Sequence, residues 1–133
     1  MEFSLRAIIE VLGAPQAHVD EVMKKVLEKL KAEQGIKVVK ETVAPAGKGE
    51  QEMFSAFAEV EVKLADLGRL NYFCFHYLPS SGEVVDVEEV TLSSREFTNY
   101  LNDALAIVHQ YNMMITNLGA ENRSLKARAG KTI

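Results

Sequence analysis

Ala58-Glu59-Val60-Glu61-Val62-Lys63-Leu64 alternates apolar and charged residues without a break. Successive side chains on an extended strand point to opposite faces, so this stretch predicts a strand with one buried and one wet face. The strand extends back to about Met53. The segment after it, Asp66–Leu78, carries two signals. Its aromatic run Tyr72-Phe73-Cys74-Phe75 has strand propensity. Leu67, Leu70, Cys74 and Tyr77, however, recur at helical spacing, and Asp66 is a suitable helix cap. The cap favours a short helix, stopped by Pro79-Ser80-Ser81-Gly82. A valine-rich fourth strand is then expected over about Glu83–Leu92.

Toward the N-terminus, Ala44-Pro45-Ala46-Gly47-Lys48-Gly49-Glu50 reads as a flexible loop. Ile36 to about Val43 reads as a second strand. Before it, Ala17–Glu33 places Val19, Val22, Met23, Val26, Leu27 and Leu30 on one helical face. Gly35 stands where a residue with positive φ commonly ends a helix. Phe3–Leu12 reads as the first strand, closed by Gly13-Ala14-Pro15. The order strand–helix–strand–strand–helix–strand is the ferredoxin-like βαββαβ arrangement. It implies an α+β fold, with a four-stranded antiparallel sheet carrying two helices on one face.

A long helix is expected after this domain. Ser93 and Glu96 have the spacing of a capping box. Phe97, Leu101, Ala104, Val108, Tyr111, Ile115, Leu118, Asn122 and Leu125 then follow in alternating steps of four and three. That is a heptad seam with Leu101, Val108, Ile115 and Asn122 at a, and the others at d. β-branched residues at a and leucine at the later d positions suit two strands, and a polar Asn at a fixes register at a cost in stability. Tyr100, Leu105, Ile107 and Met114 widen the seam in its first half. A helix over 94–125 would be about 45 Å long, longer than the roughly 17–20 Å of a typical strand. The expectation is that its first half packs on its own domain and its second half on a partner. Two alternatives stay open: a helix that only covers its own core, and an interface formed by the sheets. The organisation expected is therefore a domain over 1–92, a coiled-coil-like helix over 93–126 and a basic flexible tail over 127–133.

The chain has 133 residues and a net charge of -4, which argues against a dedicated nucleic-acid surface. A run of cations after Glu121 (Arg123, Lys126, Arg128, Lys131) suits a helix C-terminus. No apolar run approaches the roughly 20 residues of a membrane helix. The opening residues lack a basic-then-apolar leader, and Cys74 is the single cysteine. Together these suggest a cytoplasmic protein.

Nothing in the pattern assembles a catalytic or metal site, and no cofactor is expected. His18, His76 and His109 have no second ligand at helical spacing. Cys74 reads as an inert, partly buried thiol. Gly47-Lys48-Gly49 lacks the spacing of a phosphate loop. The acidic residues Glu83, Asp86, Glu88 and Glu89 read as a solvated strand edge. No set of nucleophile, base and stabiliser is present for an enzyme.

The element order resembles several ferredoxin-like families. Met53-Phe54-Ser55-Ala56-Phe57-Ala58 lacks the glycine–aromatic core of RNA-recognition modules, and there is no Cys pair of a metallochaperone after the first strand. ACT-type domains, which bind small molecules at subunit interfaces, are compatible. That resemblance implies a ligand near Gly13 and Gln16, where orphan N–H groups at a helix start suit an anion. Separately, Pro79-Ser80-Ser81, Glu83-Val84, Leu101-Asn102-Asp103, His109, Tyr111 and Glu121-Asn122 are similar to small uncharacterised archaeal proteins. This implies an intracellular prokaryotic protein and no particular activity. Two functions follow as expectations: a homodimer, or higher homo-oligomer, held by Leu101, Ala104, Val108, Tyr111, Ile115, Leu118, Asn122 and Leu125, or a ligand-sensing domain.

Overall fold

A computed structural model describes residues 1–131, in two compact units, Met1–Ser93 and Ser94–Ile133. The first unit contains strand β1 (Phe3–Gly13), helix α1 (Gln16–Ala32), β2 (Ile36–Lys48), β3 (Phe54–Leu64), α2 (Leu67–Tyr77) and β4 (Ser81–Val84). The sheet order is β2-β3-β1-β4, and every neighbouring pair is antiparallel. This is the ferredoxin-like order expected from the sequence.

The alternation in β3 is realised as read. Ala58, Val60, Val62 and Leu64 are fully buried. In β1, Phe3, Leu5, Ala7 and Ile9 are buried beside them. Helix α1 contributes Val19, Met23, Leu27 and Leu30, and α2 contributes Phe73. Burying these side chains is the main force holding the layers together, at about 1.5–3 kcal/mol for each large apolar group. The opposite face of the sheet carries Arg6 between Glu59 and Glu61, each at 3.7 Å, with exposed Leu12 and Phe57 further along.

Residues 66–78 resolve in favour of helix. The side chain of Asp66 accepts a 2.8 Å hydrogen bond from the Arg69 amide, the N-cap bond the sequence suggested. Gly35 takes φ +76°, and a Cβ there would come within 2.8 Å of Arg69 Cδ. Both the turn and the close approach require glycine.

Three expectations are corrected. Residues 44–48 are not a flexible loop but the continuation of β2, which is bulged between Ala44 and Gly47. Pro45 is tolerated because β2 is an edge strand and the proline lies within the bulge. The extension is fastened by α1: Gln16 Nε2 donates to the Ala46 carbonyl at 2.8 Å, and the Ala46 amide donates to Asp20 Oδ1 at 2.8 Å. The fourth strand is shorter than its valines suggested, ending at Val84 instead of Leu92. Its register sets Val84 against Leu5, and the Val85 amide donates to the Ser4 carbonyl. Because β1 begins at Phe3, this register offers no β1 partner beyond Asp86. The acidic residues Asp86, Glu88 and Glu89 thus follow the strand and do not edge it. The third correction lies in the second unit, where helix α3 (Ser94–Lys131) continues through the segment read as a flexible tail. Residues 132–133 of that tail lie outside the described residues.

Candidate interaction surface on the C-terminal helix

Helix α3 has 38 residues, which is about 57 Å of α-helix. Ser93 stands immediately before its first residue and Glu96 lies in its first turn, the positions of a capping box. Unbroken helical geometry puts residues 3.6 to a turn, so the heptad spacing becomes a physical stripe. Leu101, Val108, Ile115 and Asn122 fall in one row, with Ala104, Tyr111, Leu118 and Leu125 in the next. Tyr100, Ile107 and Met114 flank the stripe on one side and Leu105 on the other. The side away from the stripe mixes exposed polar residues (Asn102, Asp103, His109, Gln110, Thr116, Asn117, Arg123 and Ser124) with exposed Ala106, Met113 and Ala120.

Most of the stripe is exposed, while Ala104 and Tyr111 within it, and Tyr100 and Ile107 beside it, are half-buried. Ile115 is 68% exposed and Leu118 61%, and Leu101, Val108, Met114 and Leu125 are also exposed. Among the described residues of α3 none is buried. Isolated exposed apolar side chains are ordinary, whereas a row of them along one helix is less common on a folded chain.

The other sequence candidates sit apart from one another. His18 is exposed in the first turn of α1, and His109 is exposed on the polar side of α3. His76, in the last turn of α2, stacks on Tyr72 at 4.2 Å. Cys74 is half-buried, and burial pushes its thiol above the ordinary range, the reverse of what a nucleophile needs. No group of three or more His, Cys, Asp or Glu among the described residues converges as a metal site. No helix is long and apolar enough to cross a membrane among the described residues. Gly13 packs closely on α1, where a Cβ added to it would meet Val19 Cγ2 at 3.4 Å. The side-chain amide of Gln16 is engaged with Ala46.

Two features had no local signal in the sequence. One is a groove of about 500 Å³ between α1 and β2, floored by Met23, Leu27, Val43 and Pro45. Its ends are held by the Asp20–Ala46 bond and by the Lys31–Glu41 ion pair at 2.8 Å. The other is a polar clasp at the end of α1. Glu33 Oε1 accepts hydrogen bonds from Tyr77 Oη at 2.7 Å and Tyr72 Oη at 2.9 Å. These two bonds, led by that from Tyr77, hold the Glu33 carboxyl below the ordinary range. Arg69 lies over the Tyr72 ring at 4.9 Å and Lys29 over the Tyr77 ring at 5.7 Å. The partners come from α1 and α2, more than 35 positions apart, so no spacing rule finds them.

The family model described as MJ0538 matches residues 4–128, nearly the whole chain and including most of α3. No curated protein matches it.

Proposed function

The chain belongs to the MJ0538 family, and we propose that it is a non-enzymatic interaction module that self-associates through α3. The observation behind this reading is the heptad stripe from Leu101 to Leu125, in which Leu101, Val108, Ile115, Leu118 and Leu125 are exposed. Its occupant is a second copy of the same chain. A heptad seam is self-complementary, since each a or d side chain fits between four residues of an identical helix. The charges flanking the stripe, Glu121 and Lys126, complement each other across two copies and support the same occupant. Pairing two such stripes removes Val108, Ile115, Leu118 and Leu125 from water on both copies, at about 25 cal/mol per Å² of apolar surface.

The test is the variant Ile115→Asp. A charge on a packed seam costs several kcal/mol, so the oligomer dissociates to monomer on a sizing column with light scattering. Circular dichroism then shows the strands and helices of the first unit intact. An oligomer that survives this change contradicts the reading.

A second reading, a small-molecule-sensing domain of the ACT-like kind, draws on the groove between α1 and β2. Its size lies within the range of small-ligand sites, and Gln16 and Asp20 brace its β2 wall. In this reading Gly13 and Gln16 shape the site from the helix start. A thermal-shift screen of amino acids and nucleotides is its test, and no stabilisation by any of them counts against it.

A further inference from the structure

We infer that the two α3 helices pair parallel and in register, with the C-terminal half of the seam setting the orientation. This rests on the self-association proposed above and adds the arrangement of the partner. In a parallel two-stranded coil, a residue at g lies beside the e residue five positions later on the other helix. With Leu101 at a, the g positions of α3 are Tyr100, Ile107, Met114 and Glu121, and the e positions are Leu105, Asn112, Gly119 and Lys126. The parallel arrangement therefore sets Glu121 beside Lys126 of the second copy, twice in the dimer. It sets Tyr100 beside Leu105, two apolar groups, and Ile107 beside Asn112, whose amide stays at the solvent edge of the seam. It also sets Met114 beside Gly119, where a long side chain meets a position with only Arg123 Nη1 near the missing Cβ, at 3.8 Å.

Asn122 points the same way. In register, it meets Asn122 of the second copy, and the two amides can donate and accept mutually within the seam. Antiparallel overlap of the whole helix would set Asn122 against Ala104 and Glu121 beside Ile107. Both polar groups would then lie against apolar neighbours with no partner from the facing helix. Charge and polar pairing thus favour one orientation, and it places the N-termini of both α3 helices at the same end of the coil.

Site-directed cross-linking distinguishes the orientation from self-association itself. Cys74→Ser removes the one native thiol, and Leu125→Cys then places one thiol per chain on the seam. After mild oxidation, the parallel dimer gives a covalent dimer with Leu125→Cys alone. An antiparallel dimer gives none with Leu125→Cys alone and cross-links only when Leu125→Cys is mixed with Leu101→Cys, which overturns the orientation but leaves self-association standing. A monomer by light scattering before oxidation overturns both. A charge swap gives a second readout without cysteine: Glu121→Lys weakens the dimer roughly 3- to 10-fold, and the double variant Glu121→Lys, Lys126→Glu restores it. A double variant as weak as the single one contradicts the pairing.

Discussion

The hydroxyl of Tyr77 donates a 2.7 Å hydrogen bond to Glu33 Oε1, tying the last turn of α2 to the residue that ends α1. Tyr72 donates to the same oxygen. The carboxylate form of Glu33 is favoured in the folded chain, so its contribution to stability is present above the ordinary carboxyl value of 4.5. It is lost as pH falls through the lowered folded value. The double variant Tyr72→Phe, Tyr77→Phe is expected to melt below the parent at neutral pH. The gap between the two should narrow on acidification through that range. Thermal melts across pH check this, and a gap that stays constant into acid would show that the hydroxyls contribute independently of the Glu33 charge.

Gly35→Ala is expected to destabilise the first unit. The positive φ costs a residue with a Cβ about 1–2 kcal/mol, and the new methyl meets the Arg69 side chain. Adding Arg69→Ala should relieve the contact and leave the backbone cost, so that denaturant midpoints recover only in part. Full recovery would assign the effect to the clash.

Gly119→Ala should raise the stability of α3 by about 1 kcal/mol, the difference between the two residues inside a helix. The nearest atom to the added Cβ is Arg123 Nη1 at 3.8 Å, an ordinary contact. Helix content followed on heating measures it, and a lower midpoint would mean that the glycine is needed for a closer approach by another helix.

Asn122→Val replaces the polar a residue of the seam. The expected result is a higher melting temperature together with a mixture of oligomer sizes, because the amide gives up stability for register. A variant that melts higher and keeps a single size would show that register is set elsewhere.

The fold was legible where local pattern and tertiary need agree. The alternation from Ala58 to Leu64, the cap at Asp66 and the spacing in α1 each determine a face, and those faces make the core. Two boundaries were misread because their cause is not local. Ala44–Lys48 has the composition of a loop, and becomes strand because Gln16 and Asp20 bind the Ala46 backbone. Val85–Leu92 has the composition of a strand, but only Val85 and Asp86 have β1 residues, Ser4 and Phe3, opposite them in this register, and from Val87 on β1 offers no partner. On α3 the stripe was legible as a period. That most of its side chains stand exposed could be learned only from the folded chain. The groove along α1 and the Glu33 clasp join residues distant in sequence and left no periodic trace.

If the stripe on α3 joins two copies of the chain, the mass of the protein in solution is twice that of the chain. The most direct measurement is absolute mass by light scattering on a sizing column, for the intact chain and for one ending at Gln110, which lacks Ile115, Leu118, Asn122 and Leu125. Twice the 14.8 kDa chain mass is expected for the intact protein and a monomer for the shortened one. An intact chain that elutes at 14.8 kDa across the accessible concentration range would contradict it.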